Sequence, residues 1–386
     1  MFGIGNSHTH DLVLVVDVES DGASAALVQL HGSKPAEIVA AVRTELPYES
    51  RSADAQIAGV RACIDEVTDK ILTMRPPDIR GKLVSAYAIV HMPWADVRVI
   101  LGDARNKSDV RVTDNLISHI AQEAMKKESM DPAAHIESSI IRVELNGYPT
   151  SAPIDKRAKH IVLTILASTC DIAIRESVLQ AVQRAHITRP PLLRSTVRGF
   201  ALGASCIPTS PPGDHTIVDI SRAGSRVIHI TDGLPTTLTT IEHGLNSLFT
   251  HIAPNKHPAD ILALMRLVEA GECTEEACTS FLQNLGRAES QLSEIYTQAF
   301  TSIAKQGLLP QSLILIVHPT LAPWLSRFFT RPEFSPCVTT HKPFSVQILD
   351  ATHFTQSVQV REHVDVSLGL ISATALVYSE PTRRTA

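Results

Sequence analysis

Two aspartates with matched surroundings are the residues of this chain best suited to chemistry. Asp17 ends the apolar run Leu12–Val16, and Asp219 follows Ile217 and Val218. After each aspartate comes a short loop of small and polar residues, and a second apolar segment leads away. Small residues let backbone N–H groups approach an anion, and Mg²⁺ prefers carboxylate and water oxygens. Two such hairpins facing each other would clamp an oligophosphate and its divalent cation.

The two loops supply the candidate ligands. Asp17 and Asp219 are the candidate metal ligands. The candidate phosphate ligands are Ser20, Asp21, Gly22 and Ala23 in the first loop and Ser221, Gly224 and Ser225 in the second. A strand that ends in an aspartate and a turn is common in β-containing proteins, so one copy alone would mean little, and the matched second copy gives the pattern its weight. Glu19 would lie near the terminal phosphate, but the favoured interpretation is a solvated turn residue.

Regular elements must position these loops. Hydrophobic periodicity and the Pro and Gly positions predict strands at 12–18, 23–30, 36–46, 82–91, 96–102, 138–146, 158–169, 226–231, 312–317 and 345–349. They predict helices at 53–74, 115–127, 172–185, 258–270, 275–306 and 367–377. The polar run GDARNKSD, residues 102–109, is expected to end a strand and lead into a separate subdomain.

The order of these motifs resembles the actin-like ATPase superfamily, and within it the bacterial branch of the cell-division protein FtsA and the pilus-assembly protein PilM. The family's second phosphate loop reads roughly DIGGGTTD before a strand and a DG turn. Here DISRAGS, from Asp219 to Ser225, precedes a strand and Asp232-Gly233. The segment Leu145–Ser168 is similar to the inserted SHS2-type subdomain of FtsA. The later segments also keep the family order, with IEHG followed by a helical stretch, LILIV and VSLGLISATALVY. The resemblance therefore covers nearly the whole chain.

The resemblance implies an α/β fold of the actin-like, ribonuclease H-like type, with two duplicated lobes, an interlobe cleft and an inserted α+β subdomain. The residue ranges that it implies are 1–105 plus 190–212 for the first lobe, 106–189 for the inserted subdomain, 213–244 plus 307–386 for the second lobe, and 245–306 for a helical subdomain. Pro208–Gly213 would link the lobes.

The resemblance also implies ATP and Mg²⁺ in the cleft, with His318 and Thr320 on the adenine side. The motifs depart from the family pattern, because Glu19 replaces a glycine, Ser221 and Arg222 stand where two glycines are expected, and a proline follows His318. Weak nucleotide binding and slow hydrolysis at most are therefore expected. A pseudo-ATPase scaffold is the alternative, and a kinase is disfavoured because no general base stands out.

Composition limits the partners. A net charge of −5 and 4% aromatic residues argue against a nucleic-acid binder. No segment reaches the ~20 apolar residues of a membrane span, and the N-terminal segment with His8 and His10 does not resemble a signal peptide. The chain is expected in the cytoplasm, with membrane association only through a partner. The resemblance implies a tubulin-like division protein or a pilus inner-membrane protein as partner, and self-association, with residues 106–189 as the docking segment.

The cysteines are expected to be unpaired. They lie at 63, 170, 206, 273, 278 and 337, and the Cys273 to Cys278 spacing is too wide for a C-x-x-C metal hook. They are interpreted as small buried hydrophobic residues in a reducing compartment.

Overall fold

The computed structural model describes residues 11–32, 34–46, 53–79, 81–185, 187, 189–209, 212–273 and 276–380. His8, His10, the centre of the Pro208–Gly213 linker and the end of the C-terminal tail therefore lie outside the described residues. Within the described part, no helix is both long and apolar enough to cross a membrane.

The chain alternates strands and helices. The strands are β1 (Asp11–Glu19), β2 (Gly22–His31), β3 (Lys34–Glu45), β4 (Leu83–Val90), β5 (Ala95–Arg111), β6 (His135–Leu145), β7 (Tyr148–Pro149), β8 (Arg157–Cys170), β9 (Leu192–Ser195), β10 (His215–Ile220), β11 (Ser225–Thr231), β12 (Leu234–Ile241), β13 (Ser312–Ile316), β14 (Ser345–Ile348) and β15 (Val358–Val360). The helices are α1 (Ala53–Thr73), α2 (Asp114–Lys127), α3 (Ile172–Arg184), α4 (Val197–Ser205), α5 (Leu245–Ile252), α6 (Pro258–Ala270), α7 (Glu276–Ala304), α8 (Ala322–Phe329) and α9 (Leu368–Ser379).

Two of the three sheets repeat one topology. The first has the order β15-β3-β2-β1-β4-β9, and the second has the order β12-β11-β10-β13-β14. In each sheet three antiparallel strands precede two parallel ones. Asp17 lies opposite Ile89 of β4, and Asp219 lies opposite Ile316 of β13. The two aspartates therefore occupy equivalent positions in a duplicated fold.

The strands that carry the aspartates are central and covered on both faces. β1 is buried from Leu12 to Val18, and β10 is buried throughout. Such continuous apolar runs are typical of strands with helices on both sides. On one face of the first sheet lies α1, which buries Val60, Ile64 and Val67 at helical spacing. The aspartates are thus fixed by rigid strands at the middle of each sheet.

The C-terminal segment belongs to the first lobe, so its predicted assignment to the second lobe is wrong. β15 pairs in parallel with β3, and α9 packs on β1, β2, β3 and α4. Every residue from Gly369 to Val377 is buried. A helix that is apolar all round has to be covered on all sides, and the space between the first sheet and α4 provides that cover.

The inserted subdomain also has different limits from those predicted. Its sheet has the order β5-β8-β6-β7, and β5 already pairs with β8 at Ala95. The polar run 102–109 lies inside β5, whose side chains alternate between buried and exposed, and therefore does not end the strand. Helix α3 packs on α1 in the core of the first lobe. The insertion therefore spans residues 95–170 rather than 106–189.

Helices α5, α6 and α7 cover the second sheet and share one hydrophobic core with it. The predicted limits of α6 are confirmed, and those of α7 agree within two residues. Cys273, which follows α6, forms a disulfide with Cys278 of α7, and Cys206 is exposed. The expectation of six unpaired, buried cysteines is therefore wrong for these three residues, because the chain between α6 and α7 brings the Cα atoms of the first two within 5.5 Å.

Candidate functional site

The two aspartates converge on His91, which directly follows β4. Asp17 is fully buried, and its Oδ1 lies 2.8 Å from His91 Nε2. Burial disfavours a charged imidazole, but the carboxylates of Asp17, Glu19 and Asp219 outweigh this and raise the pKa of His91 to about 9. Asp219 therefore lies near the same imidazole as Asp17 although it comes from the other lobe. The cleft holds a buried cluster of opposite charges.

Arg43 on β3 neutralises the acidic first loop. Its guanidinium donates to Glu19 and, at 3.0 Å, to Asp21 Oδ1. Burial, and next the charge of Asp17, raise the pKa of Glu19, whereas Arg43 and His91 oppose the rise. Burial would lower the pKa of Arg43, but Glu19 and Asp21 raise it above its usual range. Glu19 is thus a partner in a charge network rather than the solvated turn residue that the sequence favours.

The loops of the two lobes touch directly. The backbone N–H of Arg222 donates to Ser20 Oγ at 3.1 Å, and Arg222 Nη1 donates to the Leu46 carbonyl at 3.4 Å. A Cβ added to Gly224 would lie 3.6 Å from Met92 Sδ of the first lobe. Ser20 therefore binds the opposite loop, and the lobes are in contact where a phosphate would enter.

The second loop uses its polar groups internally. Ser221 N–H donates to the Gly224 carbonyl at 2.9 Å, and Ser221 Oγ donates to the same carbonyl at 3.0 Å. Ser225 Oγ donates to the His243 carbonyl at 2.6 Å and accepts from Tyr296 Oη at 2.9 Å. A Cβ at Gly244 would collide with Gly224 N. The predicted ligands Ser221, Gly224 and Ser225 thus hold a tight turn against the start of α5.

Gly22 and Ala23 do not line the cleft. Both belong to β2, and Ala23 is fully buried in the first-lobe core. Gly22 has a φ of +151°, and a Cβ there would collide with the Thr44 carbonyl of β3. The glycine is required by the close approach of two strands. The sequence could not separate this packing role from a phosphate-binding role.

His318 and Thr320, which are predicted for the adenine side, lie in the turn that follows β13. His318 Nδ1 accepts from the Thr320 N–H at 3.3 Å, and Arg266 Nε donates to Thr320 Oγ1 at 3.4 Å. Burial and then the charge of Arg266 lower the pKa of His318, while Asp21 and Glu45 of the first lobe oppose this. His318 therefore faces the first lobe, but this turn is already bound to α6.

Arg226 is a functional candidate that the sequence prediction did not select. It lies opposite Asp219 in the β10–β11 register and is 1% exposed. Its Nη2 donates to the Ala95 carbonyl at 2.9 Å, whereas its Nε and Nη1 have no hydrogen-bond partner. Burial lowers the pKa of Arg226, and Asp219 opposes this shift. The side chain thus reaches from the second lobe to the first residue of the inserted sheet.

Two more site residues were missed. His91 follows the apolar run of β4, and polar residues at the carboxyl ends of parallel strands often bind ligands, so this signal was available. Gly369 gave no signal. It lies in the first turn of α9, where a Cβ would collide with Asp17 Oδ2 and lie 2.6 Å from Glu19 Oε1. Only the packing of α9 against β1 reveals this contact.

The cleft fits a cation better than a triphosphate. Asp17, Glu19 and Asp21 crowd the first loop with carboxylates, which repel phosphate oxygens. The polar groups of Ser20, Ser221 and Ser225 are engaged within the protein. In contrast, Asp17 Oδ2 is buried and has no hydrogen-bond partner, so one carboxylate oxygen remains for a positive ligand.

The whole chain is similar in structure to solved proteins. A PilM-PilN type IV pilus biogenesis complex matches with a TM-score of 0.58 and 13% identity, covering 96% of this chain and 99% of that chain. Ethanolamine utilization protein EutJ from Carboxydothermus hydrogenoformans matches with a TM-score of 0.38 and 12% identity, covering 94% and 88% of the two chains. A Bacteroides thetaiotaomicron protein with actin-like ATPase fold and unknown function has a TM-score of 0.38 and 8% identity, covering 98% and 100%.

No protein-family model and no curated protein sequence matches the chain. The similarity to the PilM structure, together with the duplicated sheet topology, shows that the chain has the actin-like ATPase fold. At 13% identity this likeness establishes the fold. The predicted fold class is confirmed.

Proposed function

We propose that this protein is an assembly adaptor of the actin-like fold that binds a partner protein, and that its cleft is held closed by its own side chains without nucleotide. The observation that carries the proposal is the contact between the lobes. Ser20 accepts a hydrogen bond from Arg222, and Arg226 donates one to Ala95. The first bond uses Ser20, a predicted phosphate ligand, and both bonds join the second lobe to the first lobe and its insertion.

Nucleotide entry would be costly. The loops would have to separate, and Arg226 would lose the one hydrogen bond that its buried guanidinium makes. An unpaired buried polar group costs about 1–3 kcal/mol, and more when it is charged. A triphosphate would also meet the acidic first loop. The lost hydrogen bond and the acidic loop favour one of the two predicted functions, the scaffold without nucleotide, over the weak ATP-binding adaptor.

A groove lined by both lobes and the insertion is the proposed partner site. It has a volume of about 1620 Å³. β6 pairs with β8 on one side, and on its other side it pairs with β7 at Glu144 and Leu145. Ser139, Ile140 and Ile141 of β6 line the groove. An open strand edge of this kind binds an extended segment by adding it to the sheet.

The chemistry of the groove defines the segment. Apolar residues line it together with three arginines, Arg189, Arg194 and Arg198, against the acidic Asp11 and Glu380. We propose that an extended, apolar segment with an acidic residue binds here, with the acidic residue next to the exposed Arg189. The PilM-PilN structure is by its title a pilus biogenesis complex. By analogy, the partner is a cytoplasmic segment of a pilus inner-membrane protein, with a tubulin-like division protein as second candidate, and the adaptor acts in the cytoplasm.

Nucleotide independence is tested by thermal unfolding with millimolar ATP and Mg²⁺. We expect no change in Tm. A ligand at a hundred times its Kd would stabilise the folded state by about 2.7 kcal/mol, which is several degrees. A shift that disappears in Asp219→Asn would overturn the closed-cleft proposal and establish the ATP-binding adaptor instead.

The groove is tested with extended peptides. They are first selected from a random library for binding to the wild-type protein. Ile140→Asp places a charge at the open edge and should abolish binding of the selected peptides. Leu101→Asp is the matched control, because Leu101 is also apolar and exposed and lies on β5 of the same sheet. Equal binding by both variants would show that the partner surface lies elsewhere.

A further inference from the structure

Three ligand-type atoms meet beside the first turn of α9. Asp17, Glu19 and His91 each offer one atom, and these atoms lie within 4.8 Å of one another. A Cβ built on Gly369 would collide with Asp17 Oδ2 and lie 2.6 Å from Glu19 Oε1 and 3.2 Å from His91 Nε2. The three side chains therefore point into one small space, and the glycine leaves that space open.

Glu19 is oriented from outside the cluster, and Asp17 keeps one oxygen unpaired inside it. Arg43 binds Glu19 through Oε2, so that Oε1 is the oxygen on the side of Gly369. Asp17 lies inside β1 and is 0% exposed, and its Oδ2 has no hydrogen-bond partner. A buried carboxylate oxygen without a partner is costly. An ion that it could coordinate would remove that cost.

We propose that Asp17, Glu19 and His91 form a site for a divalent transition-metal ion of the Zn²⁺ or Mn²⁺ type, and that this site requires no nucleotide. The site differs from the predicted Mg²⁺ site, which uses Asp17 and Asp219 with ATP phosphates. It also does not depend on the proposed partner groove, which is lined by other residues and is tested by other variants.

The ligand set selects the ion. Two carboxylates and one imidazole suit Zn²⁺ or Mn²⁺, whereas Mg²⁺ prefers an all-oxygen shell with several waters. His91 Nε2 lies 2.8 Å from Asp17 Oδ1, so the imidazole nitrogen is beside the carboxylate whose other oxygen, Oδ2, has no hydrogen-bond partner among the described residues. On binding, His91 releases its proton to solvent, and the ion replaces the hydrogen bond between His91 and Asp17.

The site is tested on the full chain after chelator treatment, without nucleotide in the buffer. His8 and His10 are replaced by Gln in all variants, because a histidine pair can bind metal by itself. Co²⁺ is the probe, since its visible absorption reports nitrogen and oxygen ligands, and Zn²⁺ affinity is measured by calorimetry. Variants are His91→Gln, Asp17→Asn and Glu19→Gln. The control is His160→Gln, which removes an exposed histidine that lies 3.1 Å from an Asp103 oxygen.

We expect one bound ion per chain in the wild type and in the control, and a loss of affinity of at least about tenfold in His91→Gln and Glu19→Gln. Circular dichroism shows whether the fully buried Asp17→Asn variant folds. If that variant does not fold, the His91 and Glu19 variants decide the result. Absence of Co²⁺ binding in the wild type, or unchanged affinity in His91→Gln, would overturn the site. Binding that appears only with ATP would also overturn it, because the ion would then be held by the nucleotide.

Discussion

Buried ionisable residues determine the character of the cleft. His91 binds Asp17, and Arg226 lies opposite Asp219, so that each lobe brings an acid and a base to the same place. Buried ion pairs are weak evidence for net stability, but breaking one by removing a partner is strongly destabilising.

The Arg226 and Asp219 pair leads to a testable prediction. Arg226→Met removes the hydrogen bond to the Ala95 carbonyl and the cation opposite the buried Asp219, so the free energy of unfolding should fall by roughly 1–3 kcal/mol. The double variant Asp219→Asn with Arg226→Met removes both charges and should recover part of this loss. Urea unfolding of the wild type, both single variants and the double variant gives the coupling energy. Simple additivity of the single effects would show that the two residues do not interact.

His215 predicts the pH dependence of stability. It is 0% exposed, and both ring nitrogens lack hydrogen-bond partners. Burial lowers the pKa of His215 to about 4, although Asp214 opposes the shift. An unfolded histidine has a pKa near 6.5, so below that pH the unfolded chain binds the extra proton. The contribution of His215 to stability should therefore be constant above pH 6.5 and fall as the pH drops towards 4.

The measurement is urea unfolding between pH 7 and pH 4.5. His215→Phe keeps a buried ring without an ionisable group and should reduce the loss of stability on acidification. His119→Gln is the control, because His119 is exposed on α2, and it should keep the wild-type slope. An unchanged slope in His215→Phe would contradict the prediction.

At the scale of elements, close packing between α4 and α9 brings the C-terminal helix to the cleft. A Cβ on Gly199 of α4 would lie 2.7 Å from Ser372 Oγ and 3.0 Å from the Ser372 carbonyl of α9. Gly203, one turn later, is similarly close to Phe354. Gly199 therefore lets the two helices approach closely, whereas Gly203 leaves room for the Phe354 ring, which lies in the turn before β15. Because α9 is held here, its first turn reaches Asp17.

Gly199→Ala should therefore destabilise the protein by about 1–3 kcal/mol, the usual cost of overpacking a tight core. Gly286→Ala is the matched control, because Gly286 lies inside α7 with no atom within 4 Å of an added Cβ. There the same change should stabilise the protein by roughly 0.5–1 kcal/mol through better helix propensity. Thermal and urea unfolding compare the two variants. Equal effects would mean that the close α4–α9 contact does not matter for stability.

At the scale of the whole molecule, one buried glutamate joins the insertion to the first lobe. Glu137 on β6 is 2% exposed and accepts hydrogen bonds from Ser195 N–H at 3.1 Å and Ser195 Oγ at 3.2 Å. Arg198 Nη1 lies 3.4 Å from Glu137 and 3.2 Å from Glu380 after α9. The insertion, α4 and the end of the described chain thus share one network beside the proposed partner groove.

Glu137→Ala leaves Ser195 and Arg198 without this acceptor and should lower the free energy of unfolding by roughly 3–5 kcal/mol. Glu66→Ala is the control, since it removes an exposed pair with Lys70 on α1 and should lower stability far less, because solvent screens such a pair. Urea unfolding measures both. A loss in Glu137→Ala no greater than in Glu66→Ala would show that the insertion is not held through Glu137.

The sequence by itself determined the local elements and the repeated aspartate pattern. The apolar periodicity of β1, β10 and α6 depends only on neighbouring residues. These elements and the equivalent positions of Asp17 and Asp219 could therefore be predicted. The order of motifs along the chain was enough to indicate the actin-like fold. The same local signals could not distinguish a phosphate-binding Gly22 from one required by β3.

Only the tertiary structure decided what the cleft contains. Three features join residues that are far apart in sequence. They are the packing of α9 on the first lobe, the start of the insertion at Ala95 and the hydrogen bond from Arg222 to Ser20. Whether a polar group is free for a ligand or satisfied within the protein depends on such distant contacts. Periodicity and spacing carry no information about them, because each reports the surroundings of a residue only along its own segment.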